Sequence, residues 1–133
     1  MSVTFRPGGN IAMKVPPHLF EPTVSFYRDT VGLEEVEVDP PSAGFRFGSM
    51  VLWIDPVAAM SQAELWLELY TDDVADAARA LDRPGIVRCD AIEPLGEGFQ
   101  GFWIASPASI IHMVRRPDAW SATASGAQQT ADG

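Results

Sequence analysis

His112 is the side chain of this 133-residue chain best suited to proton chemistry. An imidazole with an ordinary pKa of about 6.5 changes charge near neutrality, so beside a carboxylate such as Asp55 or Glu68 it could act as acid or base. A second set of residues suits binding rather than reaction. Trp53, Trp66 and Trp103, together with Tyr70, offer ring faces that hold planar or cationic molecules by stacking and cation–π attraction, worth about 0.5–2 kcal/mol per contact. Each of these rings could instead be ordinary core. His18 follows Pro16-Pro17 and reads as a loop histidine, and Cys89, the single cysteine, excludes an internal disulfide and reads as a space-filling strand residue. Gly96, Gly98 and Gly101 form no phosphate cradle, because no glycine-rich turn into a helix follows them.

Strands must position these groups. Successive strand side chains face opposite ways, and four segments sort into one apolar and one mixed face. The apolar faces are Ile11/Met13/Val15, Leu52/Ile54, Leu65/Leu67/Leu69 and Ile111/Met113, which should pack on helices. The mixed faces are Asn10/Ala12/Lys14, Val51/Trp53/Asp55, Glu64/Trp66/Glu68/Tyr70 and Ile110/His112/Val114, which either line a cavity or face solvent.

The order of elements repeats. A strand over 10–15 precedes an amphipathic helix over about 22–31, with Pro22 as its start and Gly32 as its stop. Glu34 to Val38, Gly44 to Phe47 and Met50 to Ile54 then read as strands. In the second half, the strand from Glu64 to Tyr70 leads to a helix over about 73–82, for which Thr71-Asp72-Asp73 supplies capping oxygens and Pro84-Gly85 the break. Ile86 to Asp90, Phe99 to Ala105 and Ser109 to Arg115 follow as strands. The two stretches, about 10–57 and 64–116, have the look of a tandem duplication.

Phe26-Tyr27-Arg28-Asp29-x-x-Gly32-Leu33, the Asp72-Asp73-Val74-x-x-Ala77 helix start and the late Ser106-Pro107-x-x-Ile110-Ile111 hairpin resemble the vicinal oxygen chelate superfamily of glyoxalase I, extradiol dioxygenases and bleomycin-resistance proteins. The resemblance spans about 10–116 and implies an α+β fold of two tandem βαβββ modules, with mixed sheets curling around one cavity. It further implies that, in metal-dependent members, ligands come from the first strand of each module and the last strand of each module. Those places fall here on Asn10, on Trp53 or its same-face neighbour Asp55, on Trp66, and on His112. Indole nitrogen is a donor only and cannot ligate, so the implied function is a metal-free protein with no cofactor. It would bind an aromatic or cationic small molecule among Asn10, Trp53, Asp55, Trp66, Glu68, Tyr70, Trp103 and His112. Two alternatives stay open. One is a metal-dependent lyase, isomerase or dioxygenase holding a divalent ion with Asp55, Glu68 and His112; the other is a metal-free enzyme with His112 as its acid or base.

Composition sets the remaining expectations. With 47% hydrophobic and 20% charged residues the chain suits one ordinary domain over 1–120, followed by a small-residue tail over 121–133 with Trp120 as its anchor. Net charge is −9, evenly spread, which disfavours nucleic acid and acidic lipid and favours cationic ligands, or simply serves solubility. There is no membrane-length apolar run and no signal-like core in the first residues, so a cytoplasmic protein is expected. The resemblance implies a homodimer, and the small-residue tail from Trp120 onward is expected to cross onto the partner subunit.

Overall fold

The structure, a computed structural model, describes residues 3–117. The tail and Trp120 lie outside the described residues. The fold is α+β, as expected, with nine strands and two α-helices among the described residues. These residues divide into two compact units, 9–66 in one and 3–8 with 67–117 in the other. No helix among them is long and apolar enough to cross a membrane.

The first unit contains β2 (Asn10–Val15), α1 (Pro17–Ser25), β3 (Glu35–Val36), β4 (Ala43–Phe47) and β5 (Met50–Pro56). Its strand order is β3-β4-β5-β2, with β2 and β5 parallel. Pro16 and Pro17 end β2 because neither can donate to a ladder. Pro17, not Pro22, takes the first helical position, so α1 starts five residues before the expected boundary of about 22 and takes in His18. Pro22 lies inside the helix, where it removes the N–H that would have bonded to the His18 carbonyl. The helix then widens into a π-helical stretch, Phe26–Val31. Gly32, at φ 82°, ends it in the left-handed conformation that glycine adopts without strain, and its N–H donates to the Tyr27 carbonyl. The expected apolar faces of β2 and β5 do pack on α1: Val15, Leu52 and Ile54 bury against Val24, Ala43 and Phe45.

The second unit contains β1 (Phe5–Pro7), β6 (Glu64–Thr71, from Leu67 onward), α2 (Val74–Asp82), β7 (Val87–Arg88), β8 (Gly101–Ala105) and β9 (Ile111–Arg115). Its strand order, β7-β8-β9-β6 with β6 and β9 parallel, repeats that of the first unit. The N-terminal residues Phe5–Pro7 form a strand antiparallel to β6. Asp73 caps α2, its carboxylate accepting from the Asp76 N–H at 3.0 Å. Ala77, Phe102, Ile104 and Val114 form the core, with Val74 and Leu81 of the helix packed against it. The remaining part of β6, Glu64–Trp66, belongs to the first unit and pairs antiparallel with β2.

Candidate functional site

In the first unit the register places Asn10, Ala12 and Lys14 of β2 level with Val51, Trp53 and Asp55 of β5, all on one face. Ala12 and Lys14 also stand opposite Trp66 and Glu64. The residues of this face are tied to one another. Trp53 Nε1 donates to Asn10 Oδ1 at 2.7 Å, and Trp66 Nε1 donates to Glu64 Oε1 at 3.0 Å. Asp55 receives Lys14 Nζ at 3.0 Å on one oxygen and the Ser42 hydroxyl on the other. The Lys14 ammonium also lies 4.5 Å from the Trp66 ring centroid.

The aromatic residues expected to edge one cavity are not equivalent. Trp66, Trp103 and Tyr70 are only 5%, 6% and 1% exposed. Trp53 is half-buried and lines a cleft of about 560 Å³ with Glu37, Val38, Asp39 and Ser42. Glu37 and Asp39 were missing from the expected site. Their signal was the alternation of acids Glu35, Glu37 and Asp39, which reads equally well as the solvated side of a short strand.

In the second unit β9 departs from the expected faces. His112 stands opposite Leu67 and Ile104, and it shares its face with Val114, which is fully buried in the core with Ala77. Met113 and Arg115, not His112, therefore share the face of Glu68, Tyr70 and Trp103. The error is a shift of one residue, which turns every side chain of a strand over. Ile110-Ile111-His112-Met113-Val114 is apolar on both faces apart from the histidine, so alternation had nothing to anchor it. The same expectation fails in part for Leu65 and Leu67, which are 46% and 37% exposed, while Leu69 does join the core. His112 Nδ1 lies 3.0 Å from the Ile110 carbonyl oxygen.

Glu68 meets Arg115 at 3.5 Å, with side chains 8% and 13% exposed. Arg6 and Arg115 each lie 5.8 Å from the centroid of the buried Tyr70 ring. Trp103 donates through Nε1 to the Glu93 carbonyl at 2.9 Å, as a core indole must. Gly96 to Gln100, Arg115, Arg116 and Pro117 line a separate cleft of about 510 Å³.

The donor chemistry does not fit a divalent metal at the places the resemblance implies. A hard cation needs several oxygen or imidazole ligands. Here the Asn10 oxygen is taken by Trp53, Asp55 is held by Lys14 and Ser42, two places carry indoles, and the last-strand side chain on the relevant face is the Met113 thioether. Among the described residues no three His, Cys, Asp or Glu side chains gather as a metal site.

No family model and no curated protein sequence matches the chain. Solved structures do. A Mn(II)-bound glyoxalase from Novosphingobium aromaticivorans matches with a TM-score of 0.61 and 22% identity over 86% of this chain. The chain spans 40% of that protein's length. A glyoxalase/bleomycin resistance/dioxygenase superfamily member from Vibrio splendidus 12B01 matches with a TM-score of 0.52 and 11% identity, covering 85% of this chain and 98% of that one. Homoprotocatechuate 2,3-dioxygenase from Arthrobacter globiformis gives 0.56 and 15% identity over 83% of this chain and 35% of its own. The β-α-β-β-β order occurs twice in this chain, each time with its first and last strands parallel, and together with the likeness to these structures it identifies the chain's fold as the vicinal oxygen chelate fold.

Proposed function

We propose that this chain is a metal-free binding protein for an aromatic, cationic small molecule, held in the cleft between Trp53 and the carboxylates of Glu37 and Asp39. The observation that carries this reading is the composition of that cleft: two carboxylates and an accessible indole, with no basic side chain among the lining residues. Its size, about 560 Å³, suits a ligand of two or three fused rings. The indole supplies stacking and cation–π attraction, while the carboxylates select the sign of the charge. Asp55 lies next to the cleft through Ser42, but its charge is already matched by Lys14, so the ligand meets Glu37 and Asp39 instead. An acid–base role for His112 gains no support from its register neighbours, which are apolar.

The test is equilibrium dialysis of the purified protein against three dyes of similar ring size: a quaternary phenanthridinium, a neutral phenanthridine and an anionic naphthalenesulfonate. The cationic dye should bind tightest, and Glu37→Gln/Asp39→Asn should weaken it about tenfold or more while changing the neutral dye little. Equal binding of the anionic dye, or an unchanged affinity in the double variant, would refute the proposal.

A further inference from the structure

Lys14 is the one buried cation of the first unit's site face, 7% exposed, and a lysine is almost never buried this far unless paired. It occupies the middle of three adjacent strands. Asp55 of β5 stands opposite it on one side and Glu64 of β6 on the other. Its ammonium is 3.0 Å from Asp55 and 4.5 Å from the Trp66 ring, and Trp66 in turn donates to Glu64. Three groups beside Lys14 thus attract positive charge: the carboxylate of Asp55, that of Glu64 opposite it in register, and the face of the Trp66 indole.

We propose that the Lys14 ammonium is the chain's own replacement for the divalent cation at this face, and that it excludes such an ion. With Lys14 in place the Lys14–Asp55 pair is neutral, and a dication would bring two uncompensated charges into a partly desolvated row. With Lys14 removed, Asp55 and Glu64 flank an unfilled place between them. The replacement is covalently attached, so it needs no supply from solution and cannot be removed by a chelator. This inference rests on the metal-free part of the proposed function, not on the ligand named there.

The test is thermal unfolding of chelator-treated protein with and without about 1 mM Mn²⁺ or Zn²⁺, together with electron paramagnetic resonance of free Mn²⁺. The wild-type midpoint should move by less than about 1 °C, with no Mn²⁺ lost from solution. Lys14→Ala should unfold about 5–15 °C lower and recover about 3 °C or more with the ion, with Mn²⁺ withdrawn from the free pool. That recovery should vanish in Lys14→Ala/Asp55→Asn. Should Lys14→Ala not fold in the absence of ions, its refolding yield with Mn²⁺ decides: rescue supports the inference, and no rescue overturns it. A folded Lys14→Ala no more responsive to ions than wild type also overturns it, while leaving dye binding at Glu37 and Asp39 standing. Stoichiometric ion binding by the wild type would overturn the inference together with the metal-free premise.

Discussion

At the scale of single residues, burial separates side chains that share a chemistry. Trp66 and Trp53 stand level on the two strands that flank β2, both opposite Ala12, but one is core and the other lines a cleft. Trp66→Ala should therefore act on stability, costing about 3–5 kcal/mol in chemical denaturation. Trp53→Ala should weaken the cationic dye by about 1–2 kcal/mol in dialysis. Asp55→Asn strips a partly buried ion pair of one partner. It should lower stability by about 2–4 kcal/mol at neutral pH, with little selectivity between cationic and neutral ligands. Burial and the neighbouring Asp90 push the Cys89 thiol above its ordinary value, against a smaller opposing effect of Arg88. At neutral pH the thiol should be alkylated by iodoacetamide more slowly in the folded than in the unfolded protein, and equal rates would refute this. Residue types were legible in the sequence; which tryptophan is accessible was not, because that depends on what lies across the neighbouring strand.

At the scale of elements, the signals that succeeded were those with a local cause. The start of α2 could be read because its cap is a side chain bonding three residues ahead, and Asp73→Ala should cost about 1 kcal/mol in the denaturation midpoint. The start of α1 could not, since two proline sites, Pro17 and Pro22, both satisfy the first-turn rule and the choice between them is made by where β2 ends. Strand faces were legible where polar and apolar residues alternate, as in β2 and β5, and failed in β9, where both faces are apolar. A tertiary contact without any sequence signal sits at Gly8, where an added Cβ would come within 2.4 Å of Glu68 Oε1. Gly8→Ala should displace Glu68 from Arg115 and lower the midpoint; an unchanged midpoint would show that β1 shifts without loss.

At the scale of the whole molecule, the strand order β3-β4-β5-β2 recurs as β7-β8-β9-β6, and the duplicated order of elements was visible in the sequence although the two halves share little identity. A duplicated backbone need not keep duplicated chemistry. One unit places acidic side chains beside an indole, while the other gathers Arg6 and Arg115 around Tyr70. A homodimer remains a proposal carried by the resemblance, and analytical ultracentrifugation at micromolar concentration should give about twice 14.4 kDa. A particle of monomer mass would refute it.

The unequal burial of the tryptophans also has an optical consequence. Emission from Trp66 and Trp103, shielded from water, should be blue-shifted and resist collisional quenching by acrylamide, whereas Trp53 should emit further to the red and be quenched. In a Trp120→Phe background, the acrylamide-sensitive fraction would then report on one wall of one cleft. A bound molecule should protect that fraction while leaving the blue component unchanged, so the protein carries its own probe of occupancy.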